Sequence, residues 1–227
     1  MDPRLRAAVD ASVRWYDDVF ALHDIPVRVE DGLWAALGPP PPWHSAVKTL
    51  EPGIETARVV RATAGMDHCA VADSFGDLDL ARHGFEVLIE ATWLHRLPDR
   101  QPVGTCPDGW SVVASEEVLS EWVAAHDYAG VLPPVVLDDA RFRVLAFCRG
   151  RRLVGGAVTH DGDGAVGLSN TWGDGRLAAS AASTGVLAAV SALHPGRAVV
   201  DYAAGDERDA MVASGFAPLG PHRVWTR

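Results

Sequence analysis

Two stretches of this sequence, far apart in the chain, carry the same succession of features. Residues 84–93 read "GFEVLIEATW" and residues 215–225 read "GFAPLGPHRVW", so each begins with Gly-Phe, continues with strand-forming residues and reaches a Trp. Each also follows an apolar run that ends in Asp, "CAVAD" and "AVVD", and then a short amphipathic segment. The succession predicts two related halves that each close with a helix, Gly-Phe and a strand. The alternative is convergence, because Gly commonly ends a helix and Phe commonly begins a strand.

The composition is that of an ordinary globular protein. The chain has 227 residues, 48% of them hydrophobic, with a net charge of -10 and a pI near 5.3. It can bury a substantial core, and its acidity offers no basic face for a nucleic acid. No run of 18 apolar residues predicts a membrane span, and the start lacks the apolar core of a signal peptide. Three cysteines without CxxC spacing favour reduced thiols, so we expect a cytoplasmic protein without a nucleic-acid or membrane partner.

The first half predicts one long helix and a few shorter elements. Apolar residues at helical spacing indicate a helix from Pro3 to about His23, and a second helix is expected from Ile54 to Ala64. "CAVAD" predicts a strand, "LDLARHG" a helix that Gly84 ends, and "FEVLIEATWLHR" a long strand. "PDRQPVGTCP" contains three prolines and no periodicity, which is typical of a linker. We therefore divide the chain into residues 1–100 and 101–227.

The second half predicts the order β-α-β-β-β-α-β-α-β. "WSVVAS" is a strand, and "EEVLSEWVAAHD" is a helix that Ser115 caps. The strands "RFRVLAFCRG", "RLVGGAVTHD" and "AVGLSNTW" follow, joined by the turns "RGRR" and "DGDG". The small-residue helix "AASTGVLAAVSALHPG", the strand "AVVDYA", the helix "DERDAMVAS" and the strand "FAPLGPHRVW" complete the chain.

This order, closing with Gly-Phe and a last strand, resembles the GNAT superfamily of acyl-CoA-dependent N-acyltransferases. The resemblance covers residues 110–227, and the first half looks like a second, degenerate GNAT-like copy. Both opening helices carry a Trp followed by His-Asp, namely Trp15 with His23-Asp24 and Trp122 with His126-Asp127. The resemblance implies an α/β (α+β) fold of mixed, mostly antiparallel sheets flanked by helices, in two GNAT-like halves. Residues 1–100 would be scaffold and groove wall, and residues 101–227 the acyl-CoA-binding domain.

The resemblance implies acetyl-CoA or another acyl-CoA as co-substrate. In the family, the strand corresponding to "GLSNTW" pairs with the pantetheine arm, and a loop at the start of the next helix wraps the pyrophosphate, where free N–H groups and the helix dipole favour an anion. Here that loop is "RLAASA", in which Ala179 replaces the usual Gly and Asp174 adds a negative charge upstream. The implied cofactor-binding residues are Leu168, Ser169, Asn170, Arg176, Ala179, Ala181 and Ser183.

The catalytic residues implied by the resemblance are Ser169, Asn170 and Tyr202. Active family members often carry a Tyr four residues before the Gly of Gly-Phe to protonate the thiolate, but this chain has Met211 there. The nearest phenol is Tyr202, beside Asp201 on the preceding strand. The base that takes a proton from the amine is left open among His160, Asp161, Ser169 and Asn170. No metal is expected, because "HDGDG" lacks the distal Glu of a calcium loop.

Two functions from different classes remain at this point. The first is a GNAT-like acyltransferase that moves an acyl group to the amine of a small molecule, in a chain that could form a homodimer. The second is a catalytically silent module that binds a metabolite or a protein partner in the groove between the halves. "GPPPPWH" is interpreted as a rigid loop covering that groove, with a polyproline ligand for a partner domain as the alternative.

Overall fold

The computed structural model describes residues 1–98, 106–174 and 179–227, and for residues 179–183 it describes the helix but not the side chains. The helices are α1 (Pro3–Leu22), α2 (Thr56–Ala62), α3 (Glu116–Ala125), α4 (Ala179–Leu193) and α5 (Gly205–Ala213). The strands are β1 (Val27–Glu30), β2 (Leu33–Ala36), β3 (Val47–Thr49), β4 (Ala70–Asp73), β5 (Glu86–Arg96), β6 (Trp110–Val112), β7 (Phe142–Arg149), β8 (Arg152–Asp161), β9 (Val166–Gly173), β10 (Val199–Ala203) and β11 (Ala217–Thr226).

All eleven strands belong to one mixed, mostly antiparallel sheet. Their order is β1-β2-β3-β4-β11-β5-β10-β9-β8-β7-β6. β11 and β5 form the central pair. β4 is antiparallel to β11 on one side, and β10 is antiparallel to β5 on the other. The next pairs outward are parallel (β4 with β3, β10 with β9), and the pairs beyond them are antiparallel. The pairing scheme is thus the same in both directions, with β6 added at one edge. A duplication predicts such a scheme, and the duplication itself stays a prediction.

The two closing strands are exchanged between the sides of the sheet. β5 lies between β10 and β11, although both of those strands come from the second half of the chain. β11 in turn lies between β4 and β5. Neither half of the sequence therefore forms a continuous sheet without the other.

The helices cover both faces of the sheet. On one face, α1 crosses the centre of the molecule, and its Val9 packs with Val200 of β10 and Trp93 of β5. α3 lies on the same face, where Trp122 packs with strands β7 and β8. On the other face, α4 and α5 enclose a core that contains Val199 and Ala203 of β10. No helix in the described ranges has the length and apolar character needed to cross a membrane.

The structure adds three strands to those predicted, shortens the helix predicted at Ile54–Ala64 to Thr56–Ala62, and reduces another predicted helix to a 3₁₀ turn. β1 and β2 form a hairpin whose turn residues Asp31 and Gly32 both have positive φ (52° and 77°), so the sequence "EDGL" carried the turn signal. β3, with only three residues, is too short to show a period. The predicted helix "LDLARHG" is reduced to a 3₁₀ turn at Ala81–His83, because the Asp73 carboxylate accepts backbone N–H groups of the preceding loop.

Candidate functional site

Strands β9 and β10 separate after a short parallel pairing. Val166 pairs with Val199 and Gly167 with Val200, and no further pairs follow although β9 continues to Gly173. Beyond this point β9 keeps its ladder with β8, while β10 keeps its ladder with β5. The facing edges of β9 and β10 therefore open into a wedge in the middle of the sheet. A wedge of this kind leaves backbone N–H and C=O groups available to a ligand.

A β-bulge lies in the wall of this wedge. Asn170 has φ of 53°, and the register with β8 shifts between Gly156 and Val158. Its amide is held on two sides, because Asn170 Oδ1 accepts from His126 Nε2 at 3.3 Å and Asn170 Nδ2 donates to Ser169 Oγ at 3.0 Å. Asn tolerates the left-handed conformation better than most residues, and bulges commonly redirect backbone groups beside active sites. The bulge thus turns the backbone of β9 out of its ladder at the wedge.

Adjacent residues of β10 present different chemistry to the two faces of the sheet. Side chains alternate along a strand, so Tyr202 follows Val200 toward α1, and Asp201 follows Val199 toward α4 and α5. The Tyr202 ring lies 5.3 Å from that of Trp93 and 4.5 Å from that of His222. Although Tyr202 keeps 37% of its surface exposed, loss of solvent raises the pKa of its phenol. The phenol therefore stays protonated at neutral pH.

Asp201 is a half-buried carboxyl group. It accepts the backbone N–H of Tyr202 at 2.7 Å. Desolvation raises the pKa of Asp201 well above its ordinary value, and the charge of Glu207 on α5 raises it further. Partial desolvation also raises the pKa of Glu207, although this side chain is exposed on α5. This side of the wedge therefore offers carboxyl groups that bind protons more tightly than ordinary ones.

Lys48 is the only lysine in the sequence, and it is 1% exposed. Its Nζ lies 4.5 Å from the centre of the Tyr16 ring and 5.7 Å from that of Trp93, with no carboxylate partner among the described residues. Burial lowers the pKa of Lys48 to about 7. Burial, followed by the charge of Lys48, holds the pKa of His222 well below its ordinary value. The groups behind Tyr202 thus form a buried basic cluster, defined here as Lys48 and His222.

The proline-rich loop lies between the two halves of the chain. Trp43 Nε1 donates to the Asp127 carbonyl, beyond the end of α3, at 3.3 Å. Trp15 Nε1 donates to His44 Nε2 at 3.0 Å, so His44 Nδ1 carries the proton and donates to the Pro42 carbonyl at 2.9 Å. Burial lowers the pKa of His44 to about 4, which keeps this ring neutral. Two adjacent residues at the end of the loop therefore hold it to the α3 region, through Trp43, and to α1, through His44.

The structure brings some of the predicted site residues together and leaves others undescribed. Ser169, Asn170 and Tyr202 lie on the strands that border the wedge, while the side chain of Leu168 is buried in the core, so only its backbone can reach a ligand. Arg176 lies outside the described residues. Ala179, Ala181 and Ser183 belong to the first turns of α4. None of these roles is tested by the geometry alone, and each stays a prediction.

Two of the candidate bases are engaged elsewhere. His160 is buried, and its Nε2 donates to Asp18 of α1 at 2.8 Å. Arg141 also donates to Asp18. Asp161 forms an ion pair with Arg197 at 2.9 Å. These contacts hold α1 and the residues just before β7 and β10 against β8. Met211, at the family's Tyr position, is buried with Phe216 in the core.

Sequence reasoning missed the surroundings of Tyr202. Lys48 could have been found because a single lysine sits beside an apolar pair in "SAVKTL", where a strand would bury it. Asp201 interrupts an apolar strand and carried a comparable signal. The contact of His126 with Asn170 had no local signal, since 44 positions separate the two residues.

Comparison with known proteins gives a structural likeness only. No family model matches the sequence, and no curated protein matches it. A GCN5-related N-acetyltransferase from Kribbella flavida superposes with a TM-score of 0.64 at 16% identity, over 96% of this chain and 95% of that chain. A conserved protein of unknown function from Staphylococcus epidermidis gives a TM-score of 0.64 at 12% identity, over 90% and 94%. A GCN5-related N-acetyltransferase-like protein from Streptococcus suis gives 0.53 at 10% identity, over all of both chains.

These likenesses extend over nearly the whole chain, including its first half. Identities of 10–16% show a shared fold, and function has to come from the site. The chain has the fold of the GNAT N-acetyltransferases.

Proposed function

We propose that this chain is an acyltransferase that moves an acyl group from acetyl-CoA or another acyl-CoA to an amine. The observation that carries the proposal is the wedge between β9 and β10, with the bulge at Asn170 in its wall. The bulge lies in β9, the strand that leads toward α4. The start of α4 would bind the pyrophosphate. Two of the similar structures are a GCN5-related N-acetyltransferase and a GCN5-related N-acetyltransferase-like protein, which agrees with this chemistry.

The wedge suits a thioester because its walls offer backbone groups. The pantetheine arm would pair with the free edge of β9 in place of a neighbouring strand. At the bulge, backbone N–H groups near Asn170 would point at the carbonyl oxygen of the thioester and stabilise the negative charge that develops there. His126 and Ser169 would keep this backbone in position through the Asn170 amide.

Asp201 and Tyr202, on opposite faces of β10, would have different roles in the reaction. As the amine attacks, a C–N bond forms, the nitrogen gives up a proton to water, the C–S bond breaks, and the thiolate needs a proton. Asp201 lies on the side of α4 and α5, where the thiol would leave, and its raised pKa lets it hold a proton to donate. Tyr202 faces the opposite side and would contact the acceptor as a hydrogen-bond donor. Asp201 would then replace the family's Tyr, whose position Met211 fills.

The first half of the chain would serve as scaffold and groove wall. α2 is the counterpart of α4 in the pairing scheme but has only seven residues, and β3 and β4 are bridged beyond their ladder because Ser74 N donates to Thr49 Oγ1 at 2.9 Å. One acyl-CoA per chain is therefore expected, in residues 101–227. Residues 1–100 and 101–227 would thus have different roles, although their strands form a single sheet.

The proposal is tested first by binding. Acetyl-CoA and longer acyl-CoAs should raise the melting temperature, since a ligand at 100 times its Kd adds about 2.7 kcal/mol to stability. Isothermal titration should give one site per chain and weaker binding for Arg176→Ala. Arg151→Ala is the matched control, because it removes the same charge from the turn between β7 and β8. Equal Kd values for the two variants would contradict the role of Arg176, and no binding by the wild type would contradict the proposal.

The chemistry is tested separately by thiol release from acetyl-CoA across a panel of amines. Asp201→Asn should bind acetyl-CoA like the wild type and release thiol about 10²-fold more slowly or worse, because it cannot donate the proton. Unchanged release would remove Asp201 from the mechanism. Binding of acyl-CoA by the wild type with no thiol release from any amine would favour the silent binding module, for which the buried Met211 is the supporting observation.

A further inference from the structure

The first part of β5 extends past the end of β10 and has one open edge. β5 pairs with β11 from Glu86 to His95, but with β10 only from Thr92 to Arg96. The β10-facing edge of residues 86–91 consequently has no strand partner within the described ranges. β9 also extends past the end of β10 on its other side. The open edge of β5 therefore continues one wall of the wedge.

This edge is exposed and apolar. Residues 86–90 are all exposed, including Val87 at 42%, Leu88 at 60% and Ile89 at 37%. Both faces of the strand are open here, because alternate side chains point in opposite directions. A long apolar edge of this kind is a template for another strand, and proteins usually block it. This open edge at the mouth of the wedge is therefore a candidate binding site for another extended segment.

The corresponding edge on the other side of the sheet is blocked. β11 extends past β4, which pairs only from Arg223 to Thr226. The extension contains Pro218 and Pro221, which cannot donate to a ladder. The loop after β4 lies against it so closely that a Cβ on Gly76 would come within 2.8 Å of Pro221. The contrast shows that β5 lacks the protection that its counterpart has.

We infer that residues 86–91 of β5 bind the acceptor, and that this acceptor is an extended peptide with a free amino terminus. The peptide would add to the sheet as an antiparallel strand, with its main chain hydrogen-bonded to β5. The inference rests on the proposed function for the transfer step, but the binding step can be measured without it.

The direction of the strands places the amino terminus at the wedge. β10 runs antiparallel to β5, with Val199 opposite Arg96 and Ala203 opposite Thr92. After Ala204 the chain leaves the sheet into α5, at Gly205 with φ of 52°. A peptide antiparallel to residues 86–91 continues the line and direction of β10, so its first residue lies next to the end of β10. Its amine then meets the wedge, whereas a parallel peptide would bring its carboxyl terminus there.

Charge selects the kind of peptide and disfavours a second copy of this chain. Glu86 and Glu90 flank the apolar residues and are exposed; Glu90 already pairs with Arg223 of β11 at 3.0 Å, so Glu86 is the carboxylate left for a peptide, and the whole chain carries a net charge of -10. Basic side chains at alternate positions of a peptide would therefore be attracted. In a pairing of two β5 edges centred on Leu88, Glu86 of one copy would face Glu90 of the other. Arg223 offsets only part of this repulsion, because its ion pair with Glu90 is exposed, and like charges directly opposite are destabilising.

The test uses fluorescence anisotropy with the full chain and no acyl-CoA. The probe is a hexapeptide of alternating Val and Lys with a free amino terminus and a fluorophore at its carboxyl end. Two peptides N-methylated at residues 2 and 4 or at residues 3 and 5 serve as a matched pair, since only one set of N–H groups points at β5. We expect one set to weaken binding about tenfold or more and the other to change it less than about threefold. Equal losses for both sets, or no binding of the parent peptide, would overturn the inference.

A charge variant tests the location. Glu86→Lys should weaken binding of the Val-Lys peptide and improve binding of a Val-Glu peptide, while Glu51→Lys, with the same charge change in the exposed loop after β3, should do neither. Equal effects of the two variants would overturn the assignment to β5. A dimer in light scattering that Leu88→Arg converts to a monomer would also overturn it, because a second copy would occupy the edge.

The transfer assay separates this inference from the proposed function. With acetyl-CoA present, the Val-Lys peptide should release thiol faster than butylamine at the same concentration. Acetylation of butylamine with no peptide binding would overturn the peptide and leave the acyltransferase standing. Peptide binding with no acyl-CoA binding would support the edge as a peptide site and overturn the transfer.

Discussion

At the scale of single residues, the buried basic cluster of Lys48 and His222 is costly to the fold. An ammonium group without a carboxylate partner is strongly disfavoured in the interior, and the rings of Tyr16 and Trp93 compensate only part of that cost. A methionine at this position would fill a similar space without the cost of burying a charge. Residues that cost stability in this way are concentrated at functional sites, and Lys48 lies behind the cleft residue Tyr202. We interpret the cluster as part of the acceptor side of the site.

Lys48→Met should reveal this cost as a dependence on pH. Because the pKa of Lys48 is lowered from 10.5 to about 7, the unfolded chain holds a proton between these values that the folded chain lacks. Stability therefore rises with pH through this window, and Lys48→Met should remove that rise. At about 1.4 kcal/mol per pKa unit, the variant should gain on the order of 4 kcal/mol at pH 7 and converge on the wild type near pH 10.5. Urea unfolding at several pH values measures it; parallel curves for the two proteins would contradict it.

At the scale of elements, the proline-rich loop is held by side chains rather than by a ladder. His44 stacks on Trp15 with ring centres 6.3 Å apart, and its two nitrogens each have a partner. Only the bond from Trp15 requires the neutral ring, because a protonated Nε2 cannot accept a hydrogen bond, so protonation breaks the contact with Trp15. The loop should therefore be an acid-sensitive element of the fold. It lies near Asp127, so its release would also alter the groove.

Acid should destabilise the fold through His44 in a defined window. Its pKa is lowered from 6.5 to about 4, so the unfolded chain binds a proton between these values and stability falls as pH falls from 6.5 to 4. His44→Gln should be less stable than the wild type at pH 7 and show a loss up to about 3 kcal/mol smaller over that window. His83→Gln, on the exposed 3₁₀ turn, is the control and should keep the wild-type slope. An unchanged slope in His44→Gln would contradict the assignment. Thermal unfolding at fixed pH steps measures it.

At the scale of the whole molecule, the exchanged closing strands make the halves depend on each other. β5 lies between β10 and β11 and pairs with both. Without β5, β11 would therefore be separated from the rest of the sheet of the second half. Buried residues that share a core with Leu94 of β5, such as Ala203 and Phe216, would also face water. The division of roles between the halves is thus compatible with one cooperative fold.

Cutting the chain in its predicted linker should abolish folding of each part but not of the pair. A fragment from residue 103 onward should aggregate or lack a cooperative transition, because its exposed sheet edge and core need β5. Co-expression with residues 1–102 should restore a soluble complex that co-purifies and unfolds in one step. Circular dichroism and a pull-down with a tag on one fragment measure this. A C-terminal fragment that is soluble and as stable as the parent chain would contradict the shared sheet.

The sequence by itself determined the fold class and most of the elements, eight of the eleven strands among them. The 3.6-residue spacing of α1, the cap at Ser115 and the run of strands after it are local, and physical preferences over a few residues fix them. The Gly-Phe repeats and the strand order then sufficed for the likeness to a known fold. The hairpin at Asp31-Gly32 was equally local, and its signal was present.

Only the tertiary structure decided which strands lie side by side and what the site contains. The exchange of β5 and β11, the wedge between β9 and β10 and the open edge at residues 86–91 depend on pairings between distant segments, which no local pattern encodes. The same holds for Lys48, whose pKa depends on rings contributed by α1 and β5. Hydrogen-bond ladders and desolvation act between whatever residues the fold brings together, so the chemistry of the site appears only after the chain has folded.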